Sequence, residues 1–163
     1  MPWKNGGGET TELFIDPQGQ EDFNLRLSVA KVHQNGPFSQ FKDIDRWLII
    51  LTGDGVSLEF HDRVITLDQS SEPLWFKGEE NILSKLLGES VTDFNVMMRR
   101  GYGIASVQKV AENHLSLVSQ HDHFFIYQLK SESLIILEKG ESFTTQDDEV
   151  IIVRINKRES SFI

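Results

Sequence analysis

Two adjacent arginines, Arg99 and Arg100, follow an apolar stretch that begins at Phe94, in a chain whose net charge is -9. Side chains of a strand alternate between its two faces, so a strand here would place Asn95, Met97 and Arg99 on one side. A guanidinium donates parallel hydrogen bonds that match a carboxylate, and an amide both donates and accepts. The segment therefore predicts a face that binds a small anion. The alternative is an arginine pair neutralised by surface acids.

The glycine-rich segment Pro2-Trp-Lys-Asn-Gly-Gly-Gly8 is the second candidate for anion binding. Consecutive glycines allow backbone amides to converge on one anion, and Lys4 and Asn5 add donors beside them. A flexible linker or a tight turn has the same composition, so the residues alone leave both interpretations open.

Four aromatic side chains near these segments could stack on a ligand, and they are Trp3, Phe38, Trp47 and Phe94. Aromatic residues near strands also supply core packing, which is their commoner role. The sequence leaves both roles open.

The motif His121-Asp122-His123 would suit a metal if both imidazoles lay on one face of a strand. A metal site needs further ligands, and no histidine follows His123 in the sequence. We therefore expect no bound metal and no cofactor. No Gly-x-Ser-x-Gly motif is present either, so we assign no catalytic residue.

Composition excludes several classes of protein. The chain has 163 residues, enough for one domain or two small fused halves, and no cysteine, so disulfides and thiolate ligands are excluded. Acidic residues (25) outnumber basic residues (16), which disfavours nucleic acid as a partner. No charged leader or long apolar run is evident, so we expect a cytoplasmic protein without membrane contacts.

Short β-branched and aromatic runs between turn residues predict an all-β chain. Gly53-Asp54-Gly55 indicates a tight hairpin, whereas Glu79–Gly88 fits either a short helix or a strand. A sequence pattern beginning at Gly55 returns at Gly140, about 85 residues later. The expected architecture is two small β-barrels or jelly rolls, with halves at about 1–90 and 91–163.

Four motifs in this order resemble the HutD/Ves family, and the resemblance spans nearly the whole chain. They are the segment at positions 2–8, Gly-Pro-Phe-Ser-Gln-Phe at 36–41, Asp45-Arg46, and Asp-Phe-Asn-Val-Met at 93–97 with Arg-Arg-Gly at 99–101. The resemblance implies one domain of two fused cupin-like (RmlC-type) barrels. It also implies an association with histidine utilisation and stress responses, and it brings no established catalytic activity.

These observations predict a non-catalytic protein that binds a small carboxylate metabolite, with formylglutamate and urocanate as candidates. Alternatives are a metal-independent cupin isomerase or epimerase and a protein-interaction module with a vestigial site. The sequence also allows the protein to form a homodimer. The pocket is expected where the two halves meet. The predicted ligand-binding residues are Trp3, Asn5, Phe38, Asp45, Arg46, Asn95, Arg99 and Arg100.

Overall fold

The structure is a computed structural model that describes residues 1–19, 21–112, 114–146 and 149–159. Throughout these residues the regular secondary structure is β-strand, which confirms the all-β prediction. None of the described residues belongs to a helix that is long and apolar enough to cross a membrane. The chain divides into one unit of Met1–Arg100 and a second unit that begins at Gly101.

The first unit contains two antiparallel sheets. Its strands are β1 (Gly8–Asp16), β2 (Leu25–Val32), β3 (Gly36–Pro37), β4 (Ile44–Gly53), β5 (Val56–Glu59), β6 (Val64–Leu67), β7 (Leu74–Lys77), β8 (Leu83–Leu86) and β9 (Val91–Arg99). One sheet has the order β1-β2-β9-β4-β7, and the other has the order β3-β8-β5-β6. Apolar side chains of both sheets meet in a shared core that includes Leu48, Leu58 and Phe76.

Strand β9 is central to the first sheet, because it pairs with β2 on one side and with β4 on the other. Its residues from Phe94 to Met98 are buried on both faces. A strand buried on both faces reads as a nearly continuous apolar run, which is how this segment appears in the sequence. The boundary between the units therefore follows β9 and does not lie near residue 90 as expected.

The second unit is built from six strands in the described residues. They are β10 (Gly103–Val110), β11 (Ser116–Val118), β12 (His123–Gln128), β13 (Ser133–Leu137), β14 (Ser142–Thr144) and β15 (Val150–Lys157). Strands β10, β15, β12 and β13 form one sheet, and β11 pairs with β14 in another. Phe124, Ile126 and Ile152 contribute to its core.

The prediction that the strands on either side of Gly53-Asp54-Gly55 pair as a hairpin is wrong. Gly53 and Gly55 do have the expected positive φ angles, of 96° and 108°. Strand β4 belongs to one sheet and β5 to the other, so this turn carries the chain between sheets. The hairpin occurs one strand later, where Glu59 pairs with Val64.

Two further expectations are resolved by strand pairing. Glu79–Gly88 contains a strand, Leu83–Leu86, which pairs with β3 and β5. The sequence repeat aligns β5 and β6 of the first unit with β14 and β15 of the second. Strands β5 and β6 pair with each other, whereas β14 pairs with β11 and β15 pairs with β10 and β12, so the two copies of the repeat differ in strand pairing.

Candidate functional site

A cavity of about 830 Å³ lies between the two sheets of the first unit. Alternation along β2, β4 and β9 turns a polar set of side chains into it from the five-stranded sheet. Those side chains are Arg26, Ser28, Arg46, Asp93 and Asn95. The segment from Asn35 to Phe41 and Ser84 of β8 supply part of the opposite wall.

Arg46 is the buried cation of the cavity, and only 6% of it is exposed. Its Nη2 donates to Asn95 Oδ1 at 3.0 Å, and its Nη1 donates to the Ser39 carbonyl at 3.4 Å. Its Nε is buried and has no hydrogen-bond partner among the described residues. Burial lowers the pKa of Arg46 to about 10, at which it is still charged at neutral pH.

Three phenylalanine rings surround the Arg46 guanidinium. Its Cζ lies 5.5 Å from the centroid of Phe38, 5.4 Å from that of Phe41 and 5.0 Å from that of Phe76. The faces of aromatic rings attract cations, which offsets part of the cost of removing the charge from water. The rings also limit the directions from which a ligand can reach the guanidinium.

Asp93 is a buried acid in the same cavity, two residues before Asn95 on the same face of β9. Asn95 Nδ2 donates to Asp93 Oδ1 at 2.6 Å, so the amide links this acid to Arg46. Burial raises the pKa of Asp93 to about 7, although the nearby Arg46 charge and the Asn95 hydrogen bond oppose the change. Burial therefore favours the protonated form of this acid.

The other charged groups of the cavity lie at its more open side. Arg26 of β2 pairs with Glu12 of β1 at 3.1 Å, and their side chains are 22% and 43% exposed. Lys4 also lines the cavity. Cations thus outnumber acids around the cavity, in contrast to the chain as a whole.

The glycine-rich segment forms a tight turn beside the cavity. Gly6 N donates to the Trp3 carbonyl at 3.1 Å, and Gly7 N donates to Asn5 Oδ1 at 2.8 Å. These two amides are therefore already satisfied within the turn, which favours the turn interpretation over the anion nest. Trp3 Nε1 donates to Thr10 Oγ1 at 2.8 Å, and both Trp3 and Asn5 line the cavity.

The structure brings together five of the eight predicted site residues, namely Trp3, Asn5, Phe38, Arg46 and Asn95. The cavity lining belongs wholly to the first unit, so this cavity does not lie where two halves meet. Of the other aromatic candidates, Phe94 is fully buried on the opposite face of β9, and Trp47 is not part of the lining.

Arg99, Arg100 and Asp45 lie outside the cavity lining. The prediction that Arg99 faces the cavity beside Asn95 is wrong, because Arg99 at the end of β9 pairs with Asp22 and donates to the Phe23 carbonyl.

Arg100 pairs with Asp45 at 3.2 Å and with Glu79 at 2.6 Å. The hydrogen bond that Arg100 donates to Glu79 is the main cause of a raised pKa at Arg100. Asp45 thus orients an arginine as expected, but that arginine lies on the outer surface.

Sequence reasoning did not identify Asp93 as a site residue, although it lies in the recognised motif at 93–97. A period of two from Asn95 places Asp93 on the same face, and this was the available signal. Phe41 likewise lies in a recognised motif, at 36–41, whereas Arg26 gave no comparable signal, because its approach to Arg46 depends on which strands are neighbours.

The His121-Asp122-His123 motif lies in the second unit, and only His123 belongs to β12. His123 Nε2 lies 2.9 Å from the Tyr102 hydroxyl, and Asp122 pairs with Lys139 at 2.9 Å. Within the part of the chain that the structure describes, no three His, Asp or Glu residues are grouped as metal ligands would be. The absence of a bound metal stays a prediction.

Curated relatives match part of this chain. An uncharacterized 21.2 kDa protein in the hutC 3′ region of Pseudomonas putida is 39% identical over 104 residues, 60% of this chain and 52% of that protein. Protein Ves of Escherichia fergusonii is 35% identical over 98 residues, 60% of this chain and 51% of that protein. The chain spans about half the length of the curated relatives it matches.

Solved structures share the fold along nearly the whole chain. HutD from Pseudomonas fluorescens SBW25, solved in a formate condition, is 22% identical with a TM-score of 0.79, and the match covers 98% of this chain and 94% of that one. A cupin 2 barrel protein from Leptotrichia buccalis is 10% identical with a TM-score of 0.50 and covers 96% of this chain and 86% of that one. The HutD family model matches residues 1–161. The chain therefore belongs to the HutD family and has the cupin fold that its sequence motifs implied.

Proposed function

We propose that the cavity of the first unit binds a small carboxylate metabolite, and that the chain is a non-catalytic regulatory or accessory factor in histidine utilisation. The observation that carries this proposal is Arg46, which lines the cavity with a buried Nε that lacks a partner among the described residues. A buried charge that is incompletely paired is costly. A carboxylate in the cavity would supply the missing hydrogen-bond acceptor and a compensating charge.

The dimensions and lining of the cavity support a small organic acid. A volume of about 830 Å³ falls within the range of roughly 300–1,000 Å³ that is usual for ligand sites. Trp3, Phe38, Phe41 and Met97 offer apolar contacts, and the guanidinium offers a planar set of donors that matches a carboxylate. Polar groups held at fixed positions beside apolar contacts are typical of a site that fixes a ligand's orientation.

Family membership and the Pseudomonas putida relative in the hutC 3′ region support the link to histidine utilisation. Urocanate, formiminoglutamate, formylglutamate and glutamate are therefore the first acids to test. All four carry at least one carboxylate, so all four could satisfy Arg46.

Calorimetric titration of the protein with each acid, up to millimolar concentration, tests the proposal. We expect at least one acid to bind, and Arg46→Gln to weaken that binding about 30-fold or more, because losing a buried charge-assisted contact costs about 2–5 kcal/mol. Arg63→Gln is the matched control, since Arg63 also lies over an aromatic ring, at 3.9 Å from Phe60, but does not line the cavity. Absence of binding by all four acids would contradict the proposal.

A second candidate function is a metal-independent isomerase or epimerase. The observation that favours it is Asp93, a cavity acid with a pKa of about 7, because a general acid or base works best when its pKa is near the working pH. Incubation of the protein with the tightest acid, followed by chromatography and mass spectrometry, separates the two functions. A binding protein leaves the acid unchanged, whereas an enzyme converts it.

A further inference from the structure

The cavity contains one buried acid and one buried cation in a single hydrogen-bonded chain. Arg46 Nη2 donates to Asn95 Oδ1, and Asn95 Nδ2 donates to Asp93 Oδ1. All three side chains are at most 6% exposed, and all three line the cavity. Without a ligand, the charge of Arg46 is therefore balanced chiefly by whatever negative charge Asp93 carries.

A carboxylate that binds beside Arg46 adds a second anion to this chain. Two anions that share one buried cation cannot both stay charged without a large electrostatic cost, and the group whose charged form is less well solvated takes up a proton. Asp93 is that group, because it is buried within the wall and its charge already depends on Arg46. On the basis of the proposed function, we infer that Asp93 binds a proton from solvent when a carboxylate occupies the cavity, so that the site takes up an anion and a proton together.

The neighbours of Asp93 offer no other group to accept this proton. Ala30 of β2 and Ile50 of β4 lie directly opposite it in the sheet, and Ser84 lines the same cavity from the facing sheet. These three side chains do not titrate near neutral pH.

The charged side chains that line the cavity are Lys4, Glu12, Arg26, Arg46 and Asp93. Glu12 is 43% exposed and pairs with Arg26 at 3.1 Å. Among the described lining residues there is no histidine. Asp93 is thus the acid whose protonation an added anion changes most.

The hydrogen bonds present are compatible with a protonated Asp93. Asn95 Nδ2 donates to Oδ1, so a proton on Oδ2 leaves that bond and the Arg46–Asn95 bond in place. Because the pKa of Asp93 is about 7 before a ligand binds, a further increase changes its protonation within the pH range in which the protein can be studied. The uptake is expected to be a fraction of one proton per site at pH 7, because part of the acid is already protonated before the ligand binds.

Calorimetric titrations at pH 7 in PIPES and in Tris test this inference directly. The two buffers release protons with very different enthalpies, so proton uptake appears as a difference between the two observed binding enthalpies. The probes are urocanate, formylglutamate, formiminoglutamate and glutamate. We also expect the acid that binds to do so several-fold more weakly at pH 8 than at pH 6, because uptake of a proton favours binding at the lower pH.

Asp93→Asn removes the titrating group and keeps the size and most polar contacts of the side chain. In this variant the enthalpies in the two buffers should agree, and the affinity should be nearly independent of pH between 6 and 8. Glu59→Gln is the control, because Glu59 is an acid of the same unit that pairs with Lys85 outside the cavity. It should keep the wild-type buffer dependence.

The possible results separate this inference from the proposed function. Binding with equal enthalpies in both buffers, in the wild-type protein, would overturn proton uptake and leave carboxylate binding intact. Buffer dependence that persists in Asp93→Asn would assign the proton to another group and would also overturn the inference. Absence of binding by all four acids would contradict the proposed function, and proton uptake would fall with it.

Discussion

Arg46 Nη2 donates a 3.0 Å hydrogen bond to Asn95 Oδ1 across two neighbouring strands, and both side chains are buried. An arginine side chain has many rotamers, and ordering it costs conformational entropy. The hydrogen bond to Asn95 holds the guanidinium in place before any ligand arrives. Part of the cost of organising the cavity is therefore met when the chain folds.

Asn95→Leu should lower the free energy of unfolding by about 2–4 kcal/mol. The substitution leaves Arg46 Nη2 and Asp93 Oδ1 without their shared partner, and buried polar groups that lose a partner are costly, especially when they are charged. Urea denaturation followed by circular dichroism measures the effect. Ser28→Ala is the control, because Ser28 lies directly opposite Asn95 and is equally buried, and it should cost less than about 1.5 kcal/mol. Equal losses in the two variants would contradict the bridging role of Asn95.

Arg99→Gln should leave carboxylate affinity within about twofold of the wild-type value. Its guanidinium contacts Asp22 and the Phe23 carbonyl and does not line the cavity. Since the ion pair is partly exposed, the loss of stability should also be below about 1 kcal/mol. The same calorimetric titration used for Arg46→Gln checks the affinity, and a loss as large as that of Arg46→Gln would show that Arg99 belongs to the site.

Asp93→Asn should become more stable relative to the wild-type protein as pH rises. The Asp93 pKa is raised from 3.8 to about 7 on folding, so its stabilising contribution is fully present below pH 3.8 and is lost as pH rises through 7. Asparagine has no such dependence. The difference in unfolding free energy between the two proteins should change by up to about 4 kcal/mol between pH 4 and pH 8. Parallel stability profiles from urea denaturation at several pH values would contradict the burial of an ionisable Asp93.

Gly8→Ala should destabilise the first unit by about 1–3 kcal/mol and displace Trp3. A Cβ at this position would lie 2.9 Å from two carbons of the Trp3 ring and would also collide with the Lys31 carbonyl. Gly36→Ala is the control, because a Cβ there meets no atom within 4 Å. Thermal unfolding should show a lower melting temperature for Gly8→Ala and almost no change for Gly36→Ala.

The alternation of side chains along a strand was enough to predict which residues of β9 share a face. It was not enough to predict which groups each of these side chains contacts. Asn95 and Met97 line the cavity as that rule requires, whereas Arg99 at the strand terminus is captured by Asp22 and the Phe23 carbonyl. Alternation is a local property of the backbone, and the acceptors of Arg99 come from a distant segment. A sequence pattern therefore assigns a face more securely than it assigns a contact.

The backbone conformation of the turn at Gly53 and Gly55 was likewise predictable from the sequence, whereas the pairing of the strands around it was not. Gly53 and Gly55 adopt positive φ angles, as their residue type indicates, yet the turn leads from one sheet to the other. Pairing depends on which apolar faces meet across the core, and this information is spread over both sheets. The all-β composition is local and was predicted, whereas the boundary after Arg100 depends on long-range pairing of β9.

Trp3 lines the cavity, whereas Trp47 and Trp75 pair with each other across β4 and β7, outside the lining. These are the three tryptophans of the chain. Indole emission responds to the polarity and charge around the ring, so we expect a ligand in the cavity to alter the fluorescence of Trp3 and to leave that of the other two tryptophans nearly constant. With phenylalanine at positions 47 and 75, the remaining emission comes from the cavity wall alone. The protein thus contains an intrinsic optical reporter of whether its cavity is occupied.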